Sequence, residues 1–127
     1  MSKVIDSVGW IEYFVEGPLA DKYGAYLEGA ERIVTPAVVL YEVYKKLLRD
    51  HDERTAVEAA AHMLKSVAVA IDPGLAVLAA EASLQHKLPM GDAMIYATAQ
   101  AHDSTLVTSD EHFKGLPGVE YIPRQSG

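Results

Sequence analysis

The chain has 127 residues, half of them hydrophobic, no cysteine, and a net charge of −7 from 18 Asp plus Glu against 11 Lys plus Arg. That length suits one domain, expected over 1–127 with 124–127 as a loose tail, and a core that needs no staples; the missing cysteines exclude disulfides, thiolate metal sites and cysteine nucleophiles, and suit a reducing cytoplasm. No run approaches the roughly 20 apolar residues of a membrane span, MSKVIDSVGW does not read as a signal peptide, and the acidic balance runs against the basic footprint usual in nucleic-acid binders.

In chain order, Lys3–Asp6 (KVID) is a short apolar run that stops at an acid and predicts a buried strand. SVGWIEYF follows with Val8, Ile11 and Val15 at helical spacing, and Gly17-Pro18 stops it. ADKYGAYLEGAE predicts a weaker helix broken by Gly24 and Gly29, and Arg32–Thr35 a second strand. Thr35 is placed to cap, and Pro36 to open, a helix running through AVVLYEVYKKLLRDH. ERTAVEAAAHMLKS after Asp52 is a further helix, and Val67–Ile71 a third strand. PGLAVLAAEASLQHK is helical. GDAMIYATAQAHD is a helix apolar nearly all round, so it should be buried. Thr105–Thr108 and Val119–Ile122 complete five strands. Short, continuously apolar strands alternating with helices predict an α/β fold, a parallel sheet covered on both faces. There is no internal repeat, low-complexity tract or linker.

In such sheets ligands bind outside the carboxyl ends of the strands. Asp6 ends the first strand, Asp110 lies just past the fourth, Asp92 opens the buried helix leading into that strand, and Glu42 sits in the second turn of the helix after the second strand. Each acid alone has a plain structural role. Asp6 and Asp110 suit helix or turn caps, Asp92 suits a helix dipole, and Glu42 suits an i,i+4 pair with Lys46. Together they suggest a shared site. Two like charges about 4 Å apart repel by roughly 4 kcal/mol at an effective dielectric near 20, so converging carboxylates need protons or a divalent cation. Oxygen ligands without His or Cys suit Mg²⁺ or Mn²⁺, which can serve phosphodiester hydrolysis with no covalent nucleophile. Ser7, Thr108 and Ser109 are placed to hold a carboxylate, a water or a phosphate.

VIDSVGWIEYF, TPAVVLYEVYKKL, KLPMGDAMIYATAQAH and LVTSDEHF, in this order and spacing, resemble the PIN-domain ribonucleases, and more narrowly the VapC-type toxins of toxin–antitoxin pairs. The resemblance spans about residues 3 to 123. It implies a five-stranded parallel sheet between helices and an Mg²⁺- or Mn²⁺-dependent endoribonuclease that leaves a 3′-hydroxyl and a 5′-phosphate. Asp6, Glu42, Asp92 and Asp110 match the family's acids, with Ser7 and Thr108 in support. Ser109 stands where many relatives carry a basic or amide residue. The resemblance also implies a homodimer neutralised by a small antitoxin whose tail enters the groove. Trp10, Tyr13, Phe14, Tyr41 and Tyr44 are candidates for such surfaces, although ordinary core explains each of them too. Lys45, Lys46, Arg49 and Arg54 are the candidate RNA contacts, against the plain reading of two solvated helix faces.

Other functions fit less well. A phosphoacceptor receiver domain wants an Asp after the third strand and a Lys after the fifth, whereas Asp72 precedes Pro73-Gly74 and Ile122-Pro123-Arg124 has no Lys. A PIN-like module that only binds would not need four acids. His51, His62, His86, His102 and His112 share no spacing such as HExxH and read as isolated surface or packed residues. A housekeeping RNA-processing nuclease shares the same site, but the short chain without an appended domain favours the toxin.

Overall fold

The computed structural model describes residues 1–124; of the expected tail, 125–127 lie outside the described residues. The elements run β1 (Ser2–Ile5), α1 (Ser7–Val15), α2 (Ala20–Leu27), β2 (Arg32–Pro36), α3 (Ala37–Asp50), α4 (Glu53–Lys65), β3 (Val67–Val69), α5 (Pro73–His86), α6 (Met90–Ala101), β4 (Ser104–Thr108), a 3₁₀ turn (Glu111–Phe113) and β5 (Val119–Tyr121). All four strand pairings are parallel, in the order β3-β2-β1-β4-β5. The central strand β1 sets Val4 beside Val34 on one side and Leu106 on the other.

Successive strand residues face opposite sides of a sheet. Val4 and Ile5 in β1, and Leu106 and Val107 in β4, are all fully buried. Both faces are therefore covered, as the continuous apolar runs require. The cover is built from helix pairs: α1 on α2, α3 on α4, and α5 on α6. Val39, Val43 and Leu47 put one stripe of α3 into the core. Helix α6 buries Ala93 and a continuous run from Ile95 to Ala99, matching its apolar sequence. Trp10 is buried and stacks on Phe14, which meets Tyr13 and His62 edge-on, while Tyr41 is mostly exposed.

Several boundaries differ from the sequence expectation for identifiable reasons. β2 runs one residue further, so Pro36 rather than Thr35 precedes α3 with no side-chain cap. The Thr35 hydroxyl instead shares a 2.6 Å hydrogen bond with the Ser66 hydroxyl, tying β2 to the end of α4. α2 carries Gly24 buried within it and stops at Leu27. At Gly29 a β-carbon would lie 2.7 Å from the Ala25 carbonyl oxygen, so glycine lets the chain turn away there. β3 ends at Val69 because its pairing with β2 ends at Pro36. β5 ends at Tyr121, although the Ile122 N–H still donates to the Thr108 carbonyl, 2.8 Å away.

Candidate active site: an acid groove at the sheet edge

The carboxyl ends of β1 and β4 lie side by side, and this brings together acids distant in sequence. The Asp6 N–H donates to the Val107 carbonyl at 3.0 Å, which fixes the residue as β1 gives way to α1. Its carboxylate caps α1, with Oδ1 accepting the Ser7 N–H at 2.8 Å. Oδ2 accepts the Thr108 hydroxyl at 2.6 Å. Thr108, fully buried, also accepts the Asp110 N–H at 2.9 Å, so one hydroxyl links the ends of both strands. Asp6 is only 5% exposed. Burial pushes its carboxyl up to about 7 despite those two hydrogen bonds, and the charges of Glu42 and Asp92 push the same way.

Glu42 projects from the second turn of α3 and accepts the Ser7 hydroxyl through Oε1. It takes this hydrogen bond rather than an ion pair with Lys46. Partial burial holds its carboxyl above the usual range, and Asp92 and Asp110 add to the rise. A β-carbon at Gly91 would lie 3.1 Å from Glu42 Oε2, so glycine there gives this carboxylate room against α6. Asp92 lies in the first turn of α6. Partial burial raises its carboxyl, opposed by a hydrogen bond from His112, with Asp110 adding repulsion. His112 Nδ1 donates to Asp92 Oδ2 at 2.8 Å and lies 3.3 Å from Asp110 Oδ1. The Asp92 hydrogen bond and the Asp110 charge push the imidazole pKa up. Asp110 Oδ1 also accepts the His112 N–H at 2.9 Å and so caps the 3₁₀ turn.

A groove of about 590 Å³ receives Asp6, Ser7, Glu42, Asp92 and Asp110, and Lys45, Lys46, Arg49 and Arg124 line it as well. Lys45 Nζ lies 5.4 Å from the centroid of the Tyr41 ring. Arg49 reaches the groove, but its guanidinium is held by Asp50 at 2.7 and 2.9 Å. Arg54 does not belong to the groove. It lies exposed on α4, 3.4 Å from Glu58 one turn along. Ser109 also departs from its expected place. Just past the end of β4, its buried hydroxyl shares a 2.6 Å hydrogen bond with Tyr23 Oη of α2 instead. Two residues with no site role in the sequence reading belong here: Arg124, which lines the groove, and His112, which lines an adjoining cavity that shares Asp110 and Arg124. The position of His112 two residues after Asp110 is the usable signal.

The donor chemistry is that of a hard-cation site. Asp6, Glu42, Asp92 and Asp110 are among the five carboxylates that line the groove with Glu12, and mutual repulsion adds to burial in raising three of them, Asp6, Glu42 and Asp92. One divalent ion among them would relieve both penalties, and oxygen donors fit Mg²⁺ or Mn²⁺.

The sequence model of the PIN domain family matches residues 3–119. None of the curated proteins compared matches the chain. Among solved structures, a toxin–antitoxin complex from Klebsiella pneumoniae superposes with a TM-score of 0.78 at 24% identity, covering 94% of this chain and 99% of that one. VapBC2 from Rickettsia felis, bound to a DNA fragment from its promoter, gives 0.76 at 18% identity, with 95% and 98% covered. VapC20 of Mycobacterium tuberculosis, a toxin that cleaves the sarcin–ricin loop, gives 0.70 at 20% identity, with 83% and 85% covered. A family match over most of the sequence, on a fold these structures share, means that the chain belongs to the PIN domain family.

Proposed function

We propose that the protein is a divalent-cation-dependent endoribonuclease, the toxin of a VapC-type toxin–antitoxin pair, with Asp6, Glu42, Asp92 and Asp110 as its catalytic carboxylates. The observation that carries this reading is the meeting of those four side chains in one groove flanked by Lys45 and Lys46. The toxin assignment draws on the toxin–antitoxin structures of the same fold.

Asp6, Glu42, Asp92 and Asp110 would hold Mg²⁺ or Mn²⁺. When bound, the cation supplies Lewis acidity at the scissile phosphate and makes an attacking water more acidic. The rest of the work falls to the chain. Thr108 and the Ser7 N–H fix both oxygens of Asp6, and the Ser7 hydroxyl fixes Glu42, so these acids need not reorganise during the reaction. Lys45 and Lys46 offset the acidic groove for an incoming phosphate backbone. Single-domain organisation over 1–127, a homodimer, a small antitoxin partner and a cytoplasmic setting complete the proposal.

The test is cleavage of total cellular RNA with Mg²⁺, with and without EDTA, read by mapping new 5′ ends. Chelation should abolish cleavage. Asp6→Asn and Asp92→Asn should each lower it by about 100-fold or more, the upper end of what loss of even an outer-shell partner costs a metal site. Full activity in either variant, in preparations free of contaminating nuclease, overturns the proposal. A toxin should be silenced by the product of a neighbouring short reading frame, whereas a housekeeping nuclease should not.

A further inference from the structure

We propose that His112 is itself a metal ligand, forming with Asp92 and Asp110 a nitrogen–oxygen triad that biases the groove away from Mg²⁺ and toward a transition ion such as Mn²⁺. This rests on the acid groove being the cation site proposed above, and it adds the ligand that decides which cation is favoured.

The geometry is direct. Nδ1 of His112 lies 2.8 Å from Asp92 Oδ2 and 3.3 Å from Asp110 Oδ1. One ligand atom from each of the three residues lies within 4.8 Å of the others. Adjacent ligands about 2.1 Å from an octahedral ion sit about 3 Å apart. His112 Nδ1 is therefore already spaced from each of the two carboxylates like a neighbouring corner of an octahedron, with a hydrogen-bonding proton on the inner edge of the imidazole.

The fold holds the ring there. The His112 N–H is bound by Asp110, and the next residue, Phe113, is fully buried, so the 3₁₀ turn is anchored on both sides of the imidazole. The His112 side chain is 57% exposed. The ring can thus coordinate through Nδ1 as the tautomer that carries its proton on Nε2. Asp6 and Glu42 line the groove together with Asp92 and Asp110 and leave oxygen donors for the remaining positions. Imidazole is a common ligand of transition ions, whereas Mg²⁺ sites are built from oxygens. A bare carboxylate set would show the weaker discrimination.

A hydrogen bond that merely positions Asp92 would give the same contact, so the test separates the two roles. Mn²⁺ binding to the full chain is followed by loss of the free-ion EPR signal, and Mg²⁺ affinity by competition. Pulsed EPR reads nitrogen coupling to the bound Mn²⁺. The parent should show ¹⁴N coupling. His112→Ala and His112→Gln should both lose it, and Mn²⁺ affinity should fall about tenfold or more while Mg²⁺ affinity changes far less. Gln can still donate a hydrogen bond to Asp92 but offers no ring nitrogen. Parent-like Mn²⁺ over Mg²⁺ preference in the Gln variant, no ¹⁴N coupling in the parent, or no Mn²⁺ binding by the parent overturns the inference. RNA cleavage by a parent without nitrogen coupling sinks this inference alone. Nitrogen-coupled Mn²⁺ in a protein that leaves RNA intact sinks only the nuclease reading.

Discussion

Asp6 ties chemistry to stability most tightly. Its carboxyl titrates near 7 in the folded metal-free protein, against about 3.9 for an unfolded aspartate. Between those values the folded chain holds a proton that the unfolded chain has released. This group's contribution therefore favours folding below about pH 4 and is lost as pH rises through about 7. Three units correspond to about 4 kcal/mol, an upper figure for a side chain this buried. In EDTA, Asp6→Asn should be more stable than the parent, by a margin that widens from about pH 4.5 to about pH 7.5 and then levels off. Paired urea titrations across that range check it, and a margin independent of pH would contradict the assigned cause. Asn keeps the cap to the Ser7 N–H but meets the Thr108 hydroxyl with a donor; that cost does not vary with pH, so the pH dependence of the margin isolates the charge. Asp6 was legible in the sequence because a short apolar strand ends on it. The His112–Asp92 hydrogen bond was not, because it joins residues 20 apart through a turn whose direction no local pattern records.

The first helix is set by what it cannot carry. A β-carbon at Gly9 would lie 2.4 Å from Tyr23 Cδ1 and 2.6 Å from Ile5 Cγ2, so α1 can approach α2 and β1 closely only with glycine there. Gly9→Ala should destabilise the fold by about 1–3 kcal/mol, the usual cost of overpacking. It should also weaken cation binding, because α1 carries Ser7 and is capped by Asp6. Denaturant unfolding together with Mn²⁺ titration would show both effects, and unchanged stability would count against so tight a contact. The helices and strands were readable as types because their apolar periods differ. The missed boundaries are tertiary. Thr35 looks like a helix cap until Ser66 offers its hydroxyl a partner across the sheet. Ser109 looks like a site residue until Tyr23 of α2 offers its hydroxyl a buried partner. Arg54 and Lys46 look alike in sequence, and only the packing of α3 against α4 separates them.

A net charge of −7 works against capture of a polyanion, and the groove answers locally with Lys45 and Lys46. RNA binding should therefore be weak, with a shallow salt dependence of about 0.7 in slope for each lysine contact. Lys46→Ala should lower the slope of log affinity against log salt by about 0.7 for a single strand, whereas Arg54→Ala should leave it unchanged. Anisotropy of a labelled oligonucleotide in EDTA measures both, and equal effects from the two variants would mean that the groove is not the RNA path. The sheet order was the global property least visible in the sequence. Short apolar strands announce a parallel sheet without stating that β1 lies between β2 and β4. That placement also governs when the groove can exist. The bond from Thr108 to Asp6 closes a loop of 102 residues. During translation, Asp6 and Glu42 leave the ribosome long before Asp92, Thr108 and Asp110 have been made. An unfinished chain therefore holds half of the acid cluster and no oriented pair of strand ends, so the groove is assembled only when the last strands pair.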